Sequence, residues 1–270
     1  MRKTSIFKAA VIVTAAAALL SGCAKKNSVD KSLEEIQEKG KFVLGLDDSF
    51  PPLGFRDENN SVVGYDIDLA GEVAKRLGVE LVIQPIDWSA KELELNTKNI
   101  DCIWNGFTMT KEREEAMAFT RPYLANAQVV VVRSDSGIKT LADLAGKTVG
   151  LQAGSSAAEA VDAAPDFKAS LKEIVEFKEN ITALNDLETK NIQAVVMDEV
   201  VASYMIAQSG KPYVVLEESL APENYGVAFR KNDKNLRDKV QSILDEMEAD
   251  GTVSQISMKW FGENKSVISK

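Results

Sequence analysis

Strand patterns alternate with helix patterns along the first half of the chain, and this alternation limits its possible folds. Residues 42–46, 79–83 and 100–104 are apolar segments with the length of a strand. Between the first two, apolar residues recur at every fourth position from 69 to 77, as on one face of a helix. Strands that alternate with helices form a mostly parallel sheet covered by helices. The sequence therefore predicts an α/β fold.

The second half of the chain repeats this pattern and adds a long terminal helix. Strand-like segments occupy residues 128–132, 147–152 and 194–197, and a helix pattern follows each of the last two. Residues 236–248 place apolar side chains on one helical face. About 250 residues remain once a leader segment is removed, enough for one large or two medium domains.

The stretch 105–113 lies where the strand pattern at 100–104 ends and a helix pattern, residues 111–119, begins. Ligands of open α/β sheets bind at such carboxyl ends of strands. Arg113 offers a planar guanidinium that suits a carboxylate in a bidentate arrangement. The alternative is an exposed arginine among neighbouring glutamates, which is the commoner environment for arginine.

A second candidate anion site follows the predicted strand at 147–152. Gly154, Ser155 and Ser156 stand at the start of a predicted helix, where free backbone amides bind anions. Ser156 with Glu159 also matches a capping box, and the two interpretations look identical in sequence. Residues 154–156 therefore form either an anion site or a helix cap.

Three aspartates at helix starts call for separate interpretations. Asp198 ends the strand pattern at 194–197, so it either binds a ligand or caps the helix that follows. Asp66 and Asp68 open the helix that runs to residue 77, and we interpret both as structural, through capping and pairing with the helix dipole.

The next helix is predicted to start at Trp88, with Leu93 on its apolar face.

The first 22 residues have the composition of a secretory signal peptide. A basic start is followed by an apolar run, residues 9–20, that is too short to span a bilayer comfortably. The small residues that end in Cys23 resemble the lipobox of bacterial lipoproteins. That resemblance implies cleavage before Cys23, a thioether-linked diacylglyceride on its sulfur, an acylated new N-terminus with palmitate as a typical acyl chain, and an anchor on the extracytoplasmic face of the cell membrane. A chance cysteine after an ordinary signal peptide is the alternative.

Composition removes several classes of function. The chain contains no histidine, so Ser-His and Cys-His nucleophile pairs and the commonest zinc and copper ligand are absent. Its two cysteines are Cys23 and Cys102, and lipid on Cys23 would leave Cys102 as a small apolar core residue. Three basic and no acidic residues precede Cys23, so removing that segment changes the net charge from −9 to −12. Such an acidic chain argues against nucleic acid as a partner.

A family resemblance rests on the segment 64–69, Gly-Tyr-Asp-Ile-Asp-Leu, with Val73, Ala74 and Leu77 after it. This run resembles the signature of family 3 of the bacterial extracellular solute-binding proteins, the polar amino-acid receptors of ABC importers. The resemblance covers about residues 33–262. Further motifs of that family occur in the same order along the chain: Asp47, Phe50, Trp88, the pair Thr108 and Arg113, and residues 119–123.

The resemblance implies a two-lobe periplasmic-binding-protein fold of type II. Each lobe would hold a mostly parallel sheet flanked by helices, and two hinge crossovers would join the lobes. The expected organisation is a signal peptide (1–22), a tether (23–36), lobe 1 (37–125 and 222–270) and lobe 2 (126–221).

The resemblance also implies a free amino acid as ligand. Its carboxylate would bind Arg113 and the amides of Thr108 and Ser156, and its ammonium would bind Asp198, the Thr108 hydroxyl and the Gly106 carbonyl. Phe50 and Trp88 would enclose its side chain, and Asp47 would pair with a cationic tip. The full predicted site is Asp47, Phe50, Trp88, Asn105, Gly106, Thr108, Arg113, Ser155, Ser156 and Asp198.

Asn105-Gly106 departs from the paired serines common in receptors for lysine, arginine and histidine, so the ligand is either a basic or another polar amino acid. The leading hypothesis is a monomeric receptor without cofactor, metal or catalytic residue, which delivers its ligand to an ABC permease. The alternative is a periplasmic dehydratase of aromatic amino-acid biosynthesis on the same fold. Such an enzyme needs a carboxylic acid poised in the cleft, and Asp47 and Asp198 already have binding roles.

Overall fold

The first sheet is built from the strands that the sequence predicted in the first half of the chain. The computed structural model describes residues 29–269, so the predicted signal peptide, Cys23 and residues 24–28 of the predicted tether lie outside the described part. The elements of this part of the molecule are α1 (Ser32–Lys39), β1 (Lys41–Leu46), β2 (Ser49–Phe50), β3 (Gly54–Arg56), β4 (Val62–Val63), α2 (Tyr65–Leu77), β5 (Glu80–Pro85), α3 (Lys91–Asn96), β6 (Cys102–Ile103), α4 (Lys111–Ala116), β7 (Met117–Phe119), β14 (Ala228–Arg230), α9 (Lys234–Ala249) and α10 (Thr252–Phe261). The sheet has the strand order β5-β1-β6-β14-β7, in which β1 pairs in parallel with β5 and β6, whereas β14 pairs antiparallel with β6 and β7.

The second sheet is formed by the middle of the chain. The elements of this part are β8 (Leu124–Arg133), β9 (Thr148–Gln152), α5 (Ser156–Asp162), α6 (Pro165–Ser170), β10 (Glu173–Phe177), α7 (Asn180–Glu188), β11 (Ala194–Asp198), α8 (Glu199–Ser209), β12 (Tyr213–Val215) and β13 (Ala221–Tyr225). The strand order of the sheet is β10-β9-β11-β8-β12, with β9 parallel to β10 and β11 and with β8 antiparallel to its neighbours. The predicted α/β architecture of two lobes is therefore confirmed.

Two chain segments connect the sheets, and they pair with each other. The first half of β8 pairs antiparallel with β13, from Leu124 opposite Tyr225 to Gln128 opposite Ala221. The rest of β8 pairs with β11 and β12 inside the second sheet. A two-stranded ribbon is thus the connection between the lobes. A short antiparallel sheet of β2, β3 and β4 stands at the edge of the first lobe.

Several sequence expectations differ from the structure. Residues 111–119 are not one helix, because α4 ends at Ala116 and Met117–Phe119 pairs with β14. Leu93 was placed on the apolar face of its helix, yet 64% of it is exposed, and Leu95 is the buried leucine of α3.

The N-terminal helix and the long C-terminal helix both pack into the core. Helix α1 begins inside the predicted tether 23–36, and its Ile36 is buried among the core residues. The Ser32 hydroxyl at the start of α1 accepts a hydrogen bond from Leu236 N at the start of α9. The predicted apolar face of α9 is buried as expected. None of the helices in residues 29–269 is long and apolar enough to span a bilayer.

Candidate functional site

The carboxyl ends of β6, β9 and β11 meet at a small cavity between the two sheets. Both lobes contribute to its walls. Helix α4 follows β6, helix α5 follows β9 and helix α8 follows β11, so each strand end turns into a helix beside the cavity. The lining residues are Phe50, Trp88, Gly106, Thr108, Arg113, Gln152, Ser155, Ser156 and Asp198.

Arg113 is buried, so the interpretation of it as a surface residue is wrong. The hydroxyl of Thr110 accepts a hydrogen bond from Arg113 N at the start of α4, which fixes the side chain in the first turn of that helix. The guanidinium donates to the Thr108 carbonyl at 3.1 Å and to the Gly154 carbonyl at 3.4 Å, and it lies 4.6 Å from the centre of the Phe107 ring. Glu159 of the other lobe forms an ion pair with it at 3.3 Å. Burial lowers the pKa of Arg113, and the carboxylate of Glu159 partly opposes that shift.

Asp198 and Glu223 place two carboxylates next to each other, where they share two amide donors. Asp198 is the residue before α8, but its carboxylate makes no capping hydrogen bond, so the interpretation of it as the cap of that helix is wrong. Its Oδ1 instead accepts from Asn126 at 2.7 Å, Gln128 at 3.0 Å and Tyr225 at 2.5 Å. Glu223 lies in β13 and accepts from the same two amides.

The electrostatics of this pair favour a cation. Burial and the neighbouring Glu223 carboxylate raise the pKa of Asp198 to about 7. Each hydrogen bond that the two carboxylates accept from residues 29–269 comes from a neutral amide or hydroxyl. A positively charged group bound here would pair with Asp198 and lower its pKa again. The cavity is therefore lined by a cation, Arg113, and by the carboxyl group of Asp198, beside which Glu223 adds a second carboxylate.

A chain of hydrogen bonds crosses the cavity floor from one lobe to the other. Gln128 donates to the Ser156 hydroxyl at 3.2 Å, and Ser156 donates to Thr108 at 3.0 Å. Thr108 in turn donates to Glu223 at 3.0 Å. Ser156 does not form the capping box with Glu159, because its hydroxyl is used here and Glu159 pairs with Arg113. The neighbouring Ser155 donates to the Gln152 carbonyl at 2.7 Å.

Gly106 lets the strand end pass close to the aromatic wall. Its φ is +54°, and a Cβ at this position would lie 2.5 Å from Leu53 Cδ1 and 3.1 Å from Phe50 Cε1. Phe50 and Trp88 are both almost fully buried, and Trp88 packs edge-on against Phe107 at 5.6 Å. Only glycine has both the backbone freedom and the size for this place.

Asp66 holds Gly106 from behind, which corrects the expectation that it caps its own helix. Its Oδ2 accepts from Gly106 N at 2.7 Å and from the Tyr123 hydroxyl at 2.9 Å. Burial raises the pKa of Asp66 to about 7. Asp68 pairs instead with Lys259 and Trp260 of α10. Asp66 is structural, but it positions the site directly.

Asp47 and Asn105 do not line the cavity, although the sequence placed them in the site. Asn105 is buried, and its Oδ1 accepts from Asp47 N at 3.0 Å, so it supports the end of β1. The Asp47 carboxylate accepts from Ser49 and, across the lobes, from Gln152 Nε2 at 2.7 Å. Both residues lie immediately behind the cavity wall.

Sequence reasoning missed three residues of the site. Gln152 ends β9, and its position at a strand end was a usable signal. Lys91 and Glu223 carried no such signal, because one stands in a charged helix and the other in a polar crossover. Both are brought to the site by the packing of distant parts of the chain: Lys91 Nζ donates to the Gly154 carbonyl at 2.8 Å, and Glu223 meets Thr108.

Comparisons with known proteins give one consistent result. Residues 42–263 match the model of the bacterial extracellular solute-binding proteins, family 3. The L-cystine-binding protein TcyJ of Escherichia coli K12 is 29% identical over 97% of this chain and 98% of its own length. The arginine-binding extracellular protein ArtP of Bacillus subtilis 168 is 30% identical over 98% of this chain and 100% of its own length. A substrate-binding protein of an ABC uptake transporter from Streptococcus pneumoniae, crystallised with histidine, is 38% identical with a TM-score of 0.86, covering 89% of this chain and 99% of that one.

Proposed function

The chain belongs to family 3 of the bacterial extracellular solute-binding proteins, and we propose that it captures a basic or polar L-amino acid between its lobes and delivers it to an ABC permease. One observation carries this proposal. Arg113 of the first lobe and Asp198 of the second face the same small cavity with opposite charges. A free amino acid carries the two complementary charges on groups attached to the same carbon atom, its Cα.

Each end of the amino acid has its own partners in this proposal. The α-carboxylate binds the guanidinium of Arg113, which offers parallel N–H donors. The α-ammonium binds Asp198, with the Thr108 hydroxyl and the Gly106 carbonyl beside it. Glu223 strengthens the negative potential at that end, because its carboxylate shares two amide donors with Asp198. A ligand that lacks either charge should therefore bind far more weakly.

Binding and closure are one event in this mechanism. The carboxylate partner stands on the first lobe and the ammonium partner on the second, so a bound amino acid satisfies both only when the lobes are closed. The ligand consequently stabilises the closed state by its difference in affinity for the two states. The ribbon of β8 and β13 is where the two lobes join, and we propose it as the hinge. We keep the lobe limits 37–125 with 222–270, and 126–221, as part of this proposal.

The side chain of the ligand faces the aromatic wall. Phe50 and Trp88 offer ring faces that suit an alkyl stem or a guanidinium plane. Asp47 lies behind this wall, where its carboxylate accepts a hydrogen bond from Gln152. A cationic group at the end of the ligand side chain would bind that same carboxylate. Relatives that bind arginine, histidine or cystine support a basic or polar ligand.

The membrane anchor rests on the sequence of the leader segment. We propose that Cys23 carries the lipid, that the protein acts as a monomer on the extracytoplasmic face, and that the permease takes the amino acid from the closed protein. Mass spectrometry of the protein isolated from membranes tests the lipid. Wild type should carry a diacylglyceryl mass on Cys23, and Cys23→Ala should be found without it in the soluble fraction. Unmodified Cys23 in the wild type would overturn the anchor.

A ligand panel tests the proposed function. The twenty protein amino acids and L-cystine are compared by thermal shift and calorimetry, with agmatine as the control that has the side chain of arginine but lacks the α-carboxylate. At least one L-amino acid should raise the melting temperature, and agmatine should not. If none of the twenty amino acids binds, and prephenate or arogenate is dehydrated, the enzyme alternative replaces the receptor.

A further inference from the structure

Lys91 is a buried lysine at the boundary between the lobes. It is the first residue of α3 in the first lobe, and only 5% of it is exposed. Its Nζ donates to the Trp88 carbonyl at 3.2 Å and to the Gly154 carbonyl at 2.8 Å. The ammonium also lies 5.1 Å from the centre of the Trp88 ring. A lysine is rarely buried unless its charge has specific partners, so this arrangement calls for a function.

Gly154 is shaped to receive Lys91 across the boundary. It follows β9 in the second lobe and has a φ of +69°, which an L side chain rarely adopts. A Cβ at Gly154 would lie 3.3 Å from Ser89 Cα and 3.5 Å from Lys91 Nζ. The close approach of this backbone to the first lobe therefore depends on glycine. The contact joins the two lobes, so opening the cleft along the proposed hinge would break it.

Two cations of the first lobe reach the same carbonyl oxygen. Arg113 donates to the Gly154 carbonyl at 3.4 Å, and Lys91 donates to it at the shorter distance of 2.8 Å. If Arg113 turns to a ligand carboxylate, as the proposed function requires, its long contact to Gly154 is given up. Lys91 then keeps the Gly154 carbonyl paired. The shorter of the two contacts is thus made by Lys91, which does not need to move when a ligand binds.

We propose that Lys91 is a positioning residue that latches the closed cleft through the Gly154 carbonyl and leaves Arg113 free for the ligand. The proposal rests on the proposed function, because a latch has meaning only for lobes that open and close. Lys91 itself does not line the cavity. It should slow the escape of a bound amino acid without contributing to the initial encounter.

The charges around Lys91 are consistent with a latch. Burial, followed by the Arg113 charge, lowers the pKa of Lys91 to about 8, and the carboxylates of Glu92 and Glu159 oppose this. The side chain is therefore still mainly an ammonium at pH 7, and a hydrogen bond from an ammonium is stronger than one from a neutral donor. Closure costs the hydration of this charge, and the Gly154 carbonyl and the Trp88 ring offset part of that cost.

Stopped-flow fluorescence of the mature chain tests the latch. Lys91→Met keeps the buried stem and removes the ammonium. L-arginine, L-histidine and L-cystine are each used as the probe. For any of them that the wild type binds, the variant should release the amino acid about tenfold faster, while its association rate changes less than about twofold. Lys41→Met is the matched control, because Lys41 is an exposed lysine of the same lobe whose partner Glu80 is also exposed. An unchanged dissociation rate in Lys91→Met, or an equal increase in the control, would overturn the proposal.

A second arm needs no ligand and keeps the two proposals apart. Small-angle scattering of ligand-free protein should show a larger radius of gyration for Lys91→Met than for wild type and Lys41→Met. If no amino acid binds the wild type, the proposed function fails. If, in addition, Lys91→Met gives the same scattering curve as the wild type, the latch is overturned as well. If Lys91→Met does not fold, Lys91→Gln retains a neutral donor and should still release the amino acid faster than wild type; an unchanged rate contradicts the latch.

Discussion

At the scale of single residues, the site depends on charges that are buried and that face each other. Arg113 and Asp198 are both less than one-tenth exposed, so each loses most of its hydration in the closed cleft. A buried charge without a counter-charge is costly, and an amino acid supplies both counter-charges at once. The charges of the site thus favour a zwitterion over either a simple anion or a simple cation.

Replacing Arg113 tests the carboxylate partner. Arg113→Lys keeps the positive charge but loses the planar pair of donors, and Arg113→Met loses both. We expect Arg113→Met to weaken amino-acid binding by about 2–5 kcal/mol and Arg113→Lys by less, measured by calorimetry. The matched control is Arg121→Lys, because Arg121 is an exposed arginine of the same lobe that pairs with Asp245. Equal affinities for wild type and Arg113→Met would exclude the assignment.

The pH dependence of binding tests Asp198. Its pKa is raised to about 7 in the ligand-free closed cleft, and a bound ammonium lowers it, so binding favours the ionised carboxylate. The contribution of Asp198 to affinity should therefore be nearly constant above pH 7 and should decrease as the pH falls from 7 to 5, because a proton then competes with the ligand. The groups that face Asp198 are Glu223, Tyr225 and the amides of Asn126 and Gln128.

Titration calorimetry between pH 5 and pH 8 measures this dependence. In wild type, binding should release protons near pH 6, which buffers with different ionisation enthalpies reveal. Asp198→Asn should bind more weakly at every pH and lose most of the slope. A slope that survives in Asp198→Asn would assign the titration to another carboxylate of the site, Glu223 first.

At the scale of secondary-structure elements, alternating patterns predicted most strands and helices but not their tertiary partners. Residues 117–119 have the composition of a helix end, yet they form a strand because β14, more than a hundred residues later, pairs with them. Leu93 was misplaced for a related reason: α3 is short and buries Leu95 instead. Local periodicity cannot show which face of a short segment meets the core.

The strand end at Gly106 offers a test at this scale. Gly106→Ala should lose binding and stability, because the methyl group meets Leu53 and Phe50 and the backbone has a positive φ. Gly137→Ala is the matched control, since Gly137 has a φ of +76° with no atom within 4 Å of the added Cβ. The control should lose only the backbone cost, about 1–2 kcal/mol of unfolding free energy. Chemical denaturation measures both, and a Gly106→Ala loss no larger than that of the control contradicts the steric argument.

At the scale of the whole molecule, the sequence predicted eight of the nine residues that line the cavity, but not Lys91 and Glu223, which lie beside it. Strand ends and the family motifs identify Arg113 and Asp198 one at a time. Glu223 and Lys91 contact Thr108 and Gly154, which are 115 and 63 residues away along the chain. No local pattern marks such pairs, because each contact exists only after distant parts of the chain have packed together.

The rim of the cleft allows closure to be tested without touching the cavity. Phe55 of β3 in the first lobe contacts Tyr204 of α8 in the second, with ring centres 5.9 Å apart. Phe55 also contacts Trp260 of α10, which belongs to its own lobe, at 5.8 Å. Under the proposed lobe limits, the first contact forms only on closure and the second persists when the lobes open. Only the first should therefore be coupled to amino-acid affinity.

Two double-mutant cycles measure that difference. For Phe55→Leu with Tyr204→Leu, we expect a coupling of about 0.5–1.5 kcal/mol in the free energy of amino-acid binding, since the pair stabilises the ligand-bound form. For Phe55→Leu with Trp260→Leu, the coupling should be close to zero in binding and should appear instead in the free energy of unfolding. Equal binding couplings for the two pairs would mean that Phe55 and Tyr204 remain in contact when the ligand leaves, and the proposed lobes would then not separate along this boundary.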